Sequence, residues 1–276
     1  MQSTLDERPF AQPVDYVRPA PKAIEVVFPV VAMPRSLAAV DVVVMVSIFM
    51  VGLFLISFSS IAQLLMERWP QFGIFIPNLL LGVLTLGAIA ALLAIRNQSA
   101  ATIGLSRTSW QRVCAAAAIT VPTCYAAGMI SNLLYIAVSG FDVDGFMAER
   151  AEFMAVIPEI PMGWAVLFSI FVGIHEEVFF RGFMLSRLRT LCRSNAAAII
   201  LTSAVFGGLH FYQGPAGVFQ TAAVGLVMAI IVTYARTLWP AIIAHAVFDT
   251  IGLVIAGPLT RALEEYDMLP AMIGSS

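Results

Sequence analysis

Seven predominantly apolar runs follow one another along the chain, near residues 38–62, 74–95, 112–138, 162–186, 195–212, 217–235 and 239–257. Each has roughly the 18 to 27 residues that a helix needs to cross the hydrocarbon core of a bilayer. The pattern predicts an all-α fold, a polytopic membrane helix bundle of seven or eight transmembrane helices. The eighth element would be Phe146 to Ile157, short, amphipathic and lying at the outer surface.

Residues 1–35 break the pattern. Pro9, Pro13, Pro19, Pro21, Pro29 and Pro34, with scattered charges between them, resist helix formation and build no core, so this stretch reads as a flexible cytoplasmic tail. Ile24 to Met33 is apolar but broken by Pro29 and too short to span, and at most it lies along the membrane surface. The order of a cleaved signal peptide is not found, which makes the first apolar run a retained signal anchor. The rest divides into residues 36–160, with the N-terminal spans and an outer loop, residues 161–257, a polar-studded core, and residues 258–276, a C-terminal tail.

Composition agrees with a membrane setting. At 60% hydrophobic and 12% charged residues, with a mean hydropathy of +0.90, a 276-residue chain has more apolar side chains than a soluble core could bury. A net charge of −2 without any long basic run argues against nucleic acid or another strongly charged partner. Cys114, Cys124 and Cys192 are odd in number, lack metal-ligand spacing and read as packing residues. Basic residues alternate by loop. Arg8, Arg18, Lys22 and Arg35, then Arg96, Arg107 and Arg112, then Arg187, Arg189 and Arg193, and finally Arg236 fall on one side, against Arg68, Arg150 and Arg261 on the other. The third loop, on the arginine-poor side, holds Asp142, Asp144, Glu149, Glu152 and Glu159. The positive-inside rule then places the N-terminus in the cytoplasm and the C-terminus outside, in a multi-pass protein of the plasma (cytoplasmic) membrane.

Ionisable residues inside apolar runs are costly, roughly 2.5 to 3.5 kcal/mol each on insertion scales, and here they concentrate in the last four runs. Glu176, Glu177 and Arg181 lie in the fourth, His210 in the fifth, His245 and Asp249 in the seventh. On an α-helix Glu177 and Arg181 are i,i+4 neighbours that can pair, whereas Glu176 points about 100° away and has no local partner. His245 and Asp249 again share one helical face, a spacing suited to a carboxylate that sets an imidazole's charge or tautomer. Gly207 and Gly208, before His210, allow close approach of the fifth helix to a neighbour. Asp41, near the start of the first run, reads as an interfacial charge at a helix N-terminus.

Three segments carry a resemblance. Glu176-Glu177-Val-Phe-Phe-Arg181 fits a Glu-Glu-x-x-x-Arg motif, Phe206-Gly-Gly-Leu-His210 a Phe-x-x-x-His motif, and His245-Ala-Val-Phe-Asp249 a His-x-x-x-Asn/Asp motif. In this order, each in a membrane run, they resemble the CPBP intramembrane proteases, the CAAX-protease and bacteriocin-processing enzymes also called the ABI family. The likeness covers roughly residues 160 to 257 and makes residues 161–257 a CPBP-like catalytic core. It implies an intramembrane endopeptidase. Glu176 would activate water as general base, with His210 holding or polarising that water. His245 would stabilise the oxyanion of the tetrahedral intermediate. Asp249 stands where many members have Asn; a carboxylate donates only when protonated, so it would instead orient His245. Glu177 and Arg181 would fix the fourth helix and Glu176, and Phe206 would shape the pocket.

Glu176, His210 and His245 are also a donor set for zinc. However, Phe179 stands where a His-Glu-x-x-His helix would carry its second histidine, so a metal-free mechanism is preferred, zinc is the less favoured alternative and no cofactor is expected. Taken singly, the residues have plainer readings. Glu177 with Arg181 is a structural ion pair, His175 and lone histidines are packing residues, and Tyr212, Gln213 and Gln220 are loop residues or substrate contacts. Two other functions stay open, a proton-coupled membrane transporter and a non-catalytic immunity or scaffold protein. The expected partners are the lipid bilayer and a membrane-embedded or lipidated peptide or protein substrate.

Overall fold

The computed structural model describes residues 33–69, 72, 75–140 and 142–265. The expectations for the proline-rich tail up to residue 32 and for the chain after residue 265 lie outside the described residues. All regular elements among the described residues are helical. They are α1 (Arg35–Ser57), α2 (Ser60–Arg68), α3 (Phe75–Ile95), α4 (Trp110–Val138), α5 (Val143–Ala155), α6 (Met162–Glu177), α7 (Leu185–Cys192), α8 (Asn195–Leu209), α9 (Gly214–Ala235) and α10 (Trp239–Glu265). A π-helical stretch, Val178–Met184, joins α6 to α7 without a break, and short 3-10 turns occupy Ala100–Ile103 and Phe211–Gln213.

Six of these helical stretches, of 21 to 31 residues, are long and apolar enough to cross a membrane: α1, α3, α4, α6 through α7, α9 with the turn before it, and α10. The chain is an integral membrane protein with an all-α, polytopic bundle. Residues 195–212, expected as a full span, form instead the shorter apolar helix α8 of 15 residues. At 1.5 Å per residue it reaches about 22 Å, less than the ~30 Å hydrocarbon core. It stops because the His210 backbone N–H turns back to the Gly207 and Gly208 carbonyls, after which the chain takes a 3-10 turn and a left-handed Gly214 at φ 78°. At the other extreme α10 runs through Pro258 to Glu265, so the first residues of the expected C-terminal tail are helical.

Glycines set the closest helix contacts. A Cβ on Gly207 would sit 2.6 Å from Ala222 Cβ and 2.7 Å from the Val218 carbonyl, so α8 meets α9 backbone to backbone, while Gly208 faces open space. A Cβ on Gly173 would lie 3.1 Å from the Ile242 carbonyl, which brings α6 against α10 one turn from Glu176.

Asp41 departs from the surface role expected of it. It is fully buried and accepts two hydrogen bonds from Arg96, at 3.0 and 2.7 Å, with the Arg187 Nε 3.4 Å from its other oxygen. Arg187, counted in sequence as a loop cation, is equally buried and also donates to Gln98 at 2.6 Å. This cluster ties α1 to the end of α3 and to α7. Removing the carboxylate leaves two arginines without their counter-charge, and losing one partner of a buried pair costs about 3–5 kcal/mol. Asp41→Ala is expected to lower the unfolding midpoint in detergent steeply, whereas Asp142→Ala, at an exposed cap, is expected to change it little.

Where an amphipathic helix was expected over Phe146 to Ile157, the helix α5 spans Val143–Ala155 without a distinct apolar face, only Ala151 being buried, and it is clasped to the start of α9. Glu149 Oε1 accepts from the Ala216 backbone N–H at 2.7 Å, and Arg150 donates to the Gln213 carbonyl at 2.5 Å and to Gln220 at 3.2 Å. A carboxylate at a helix N-terminus satisfies a donor that the helix itself leaves free. Burial pushes the Arg150 guanidinium below its ordinary range, with neighbouring Glu149 opposing that shift. Gln213 and Gln220 thus serve the clasp.

Candidate active site

The three motifs converge. α6 brings Glu176 and Glu177 to its end, the end of α8 brings His210, and α10 brings His245 and Asp249. The π-helical stretch follows directly, with its last hydrogen bond running from the Leu185 N–H to the Phe180 carbonyl. All seven of its residues are buried. Such segments widen a helix by one residue per turn and recur at functional sites. Sequence reasoning treated the whole stretch as α-helix; nothing in hydropathy marks the change.

Glu177 is the centre of the arrangement. It is fully buried, and its Oε1 accepts from Arg181 Nη1 at 2.7 Å and lies 2.9 Å from His245 Nδ1. The pair with Arg181 is the one expected; the bond to His245, 68 positions away, is not. Glu177 therefore fixes the imidazole of α10 rather than Glu176. The Arg181 guanidinium lies 4.0 Å from the centre of the Phe206 ring, a cation–π contact that gives this phenylalanine its place in the site. Room for it comes from Gly225 of α9, where a Cβ would fall 2.8 Å from both Arg181 Nη2 and Phe206 Cδ1.

The other face of His245 meets two carboxylates, with Nε2 3.4 Å from Asp249 Oδ2 and 3.7 Å from Glu176 Oε2. The Glu176 Oε2 atom is buried and has no hydrogen-bond partner among the described residues. His210 Nδ1 is 2.7 Å from the Phe206 carbonyl; only a donor satisfies that oxygen, so the proton is assigned to Nδ1 and Nε2 of the neutral ring accepts. The His210 ring packs on Phe206 at 4.8 Å and faces Tyr212 at 5.7 Å. His175 turns elsewhere, beside Phe171 and close to Gly82 of α3. Among the described residues no group of three or more His, Cys, Asp or Glu side chains is arranged to hold a metal ion.

A cleft of about 750 Å³ adjoins the site between α4, α5, α9 and α10, with Tyr125, Met129, Phe146, Gln220 and Phe248 among its walls. Phe248 precedes Asp249, and Tyr125 packs on it at 4.8 Å. Sequence reading gave Tyr125 and α4 no part here; Pro122, inside α4 and on the cleft wall, was the available signal.

Residues 158–251 match the family model described as type II CAAX prenyl endopeptidase Rce1-like. They contain all five polar residues just described together with Arg181. This part of the chain is similar to the CAAX-protease family. The activity that the family implies is endopeptidase cleavage within the membrane, on prenylated, membrane-associated polypeptides as a class. No curated protein and no solved structure matches the chain. In the matched segment the glycine at 225 offers a direct check on the central ion pair. Gly225→Val is expected to displace Arg181 and cost about 1–3 kcal/mol by overpacking, read as a lower unfolding midpoint, whereas Gly208→Ala, in open space, is expected to be neutral.

Proposed function

We propose that the chain is an intramembrane glutamic endopeptidase in which Glu176 activates the attacking water. The observation that carries this reading is the contrast between two adjacent carboxylates. Glu177 is sealed at 0% side-chain exposure with its Oε1 held by both Arg181 and His245, although its Oε2 has no hydrogen-bond partner among the described residues; Glu176 is 18% exposed and its buried Oε2 has no hydrogen-bond partner either. A general base needs that freedom, because a water must occupy the position that a protein donor would otherwise take.

In the proposed step Glu176 takes a proton from water as the oxygen attacks the scissile carbonyl carbon. His210 Nε2, an acceptor by virtue of its Nδ1–H bond to Phe206, holds the second water hydrogen. The oxyanion that forms needs a donor already in place. His245 supplies it. Since its Nδ1–H is directed at Glu177, its Nε2 donates only as the imidazolium, a form compensated by the surrounding carboxylates of Glu176, Glu177 and Asp249. Collapse of the intermediate breaks the C–N bond, and Glu176 returns its proton to the departing amine. Asp249 faces the same nitrogen that serves the oxyanion and orients it until substrate arrives. The substrate is a membrane-associated or lipidated polypeptide.

Glu176→Gln is expected to abolish cleavage of a quenched-fluorescent membrane-peptide library by the purified protein while leaving its unfolding midpoint unchanged. Wild-type cleavage is expected to survive a chelator. Loss of activity with chelator would overturn the metal-free mechanism, and full activity of Glu176→Gln would overturn the general base. His245→Ala is expected to reduce the rate by about 10²–10³, the usual effect of one oxyanion donor. Asp249→Asn should remain within about tenfold of wild type, because an amide both accepts from the imidazole and donates to the oxyanion.

A further inference from the structure

His210 stands where a helix holds a side chain least firmly. It is the first residue past α8: its backbone, at φ −93° and ψ 21°, has left the helix, and its N–H turns back to the Gly207 and Gly208 carbonyls. Helix ends fray, because their last carbonyls have no intrahelical donor. The ring's hydrogen bond, from Nδ1 to the Phe206 carbonyl at 2.7 Å, stays within this same last turn, so it fixes the imidazole only as well as the turn itself is fixed. A group that presents Nε2 to one water molecule needs a second support.

That support comes from α5, far away in sequence, which sends three side chains to the segment that follows His210. Glu149 accepts from the Ala216 N–H, Arg150 donates to the Gln213 carbonyl, and the Phe153 ring lies 6.1 Å from that of Tyr212. The Arg150 guanidinium is in turn 5.9 Å from the centre of the Phe153 ring, which makes the three one unit. The fit is close. Gly214 holds φ 78°, and a Cβ there would run into the Glu149 carboxylate; one on Gly217 would stand 2.9 Å from Arg150 Nη2. Within the turn, the Gln213 N–H bonds back to the His210 carbonyl at 2.9 Å. Tyr212 completes the chain of contacts, its ring centre 5.7 Å from that of His210 at a tilt of 31°, within the range of favourable aromatic packing. The imidazole thus has one aromatic neighbour, Phe206, on its own helix and another on the clasped turn.

We propose that Tyr212 is a positioning residue for His210 and that α5, through Phe153, Arg150 and Glu149, holds Tyr212 in place. A helix outside the three motifs then sets the aim of the water-holding group. The water-holding role of His210 rests on the glutamic endopeptidase reading, but the hold of Tyr212 on His210 does not, and the two are tested separately. The Tyr212 hydroxyl accepts from Gln213 Nε2 at 3.4 Å, inside the turn, so it is the ring that serves His210 and phenylalanine can replace it. A tyrosine that bound substrate would act on KM; one that holds the imidazole acts on the chemical step.

The test uses the full chain with its histidines labelled with nitrogen-15 in the imidazole ring and read by NMR. The chain has 3 histidines, and His210→Gln assigns the signals of the one in question. Wild type is expected to show two distinct His210 nitrogen shifts, those of the Nδ1–H form. In Tyr212→Ala and Phe153→Ala these are expected to move toward a common average while His175 keeps its own, and Tyr212→Phe is expected to match wild type, as is Glu152→Gln at an exposed position of α5. In the cleavage assay the two alanine variants are expected to lose about 10- to 100-fold in kcat with KM within about twofold. Unchanged His210 shifts in both alanine variants, or a raised KM at constant kcat, would overturn the proposal. If an alanine variant disturbs all three histidines, Tyr212→Leu, which keeps an apolar side chain without the ring, is read in its place by the same criteria. Should wild type cleave nothing, or cleave without Glu176, the endopeptidase reading falls and the nitrogen shifts still decide the hold on His210.

Discussion

A single carboxylate sealed from water, that of Glu177, holds the site together. Taking such a charge out of water costs several kcal/mol, repaid only where partners surround it closely. Arg181 repays part of the cost along the same helix and His245 brings a second helix into the same bond. Phe206 and Gly225 make the cage around the arginine, one by presenting its ring face and the other by lacking a side chain. Four elements, α6, α8, α9 and α10, therefore depend on one oxygen atom. The neighbouring Glu176 makes no such bond, which is the freedom that the proposed general base requires.

A second buried anion, Asp41, plays the corresponding part for the other half of the bundle. Lipid offers no hydrophobic driving force between helices, so association rests on packing and on polar bonds of this kind. Two of the arginines counted in the charge asymmetry along the chain, Arg96 and Arg187, are thus structural partners of Asp41 in the folded bundle.

Much of this was legible in the sequence, and what was not has a common physical origin. Long apolar runs are read reliably because a bilayer demands them, and six spans follow from length and hydropathy alone. Of the residues the three motifs singled out, Glu176 and Asp249 lie beside His245, and His210 packs on Phe206, whose ring also neighbours His245, since ionisable residues in such runs must converge on partners. Pairings between distant positions were invisible: Glu177 with His245, Asp41 with Arg187, Glu149 with the start of α9. Periodicity reports which residues share a helix face, never which helix they meet. The run at 195–212 misled for a different reason, as hydropathy does not register that Gly207, Gly208 and the left-handed Gly214 allow the chain to turn back at His210.

The π-helical stretch between α6 and α7 acts as a phase shifter. In a regular helix the face that carries Glu177 would recur on a fixed schedule along the next three turns. The wider turns of residues 178–184 reset that schedule, so the continuous rod has two independently aimed ends. One end points its carboxylates at α10, the other points Arg187 at α1. The length of this stretch is thereby as constrained as its chemistry: a variant that kept every residue type but lost one position would rotate one polar cluster away from its partners, and a chain that tolerates many apolar exchanges there would tolerate no deletion.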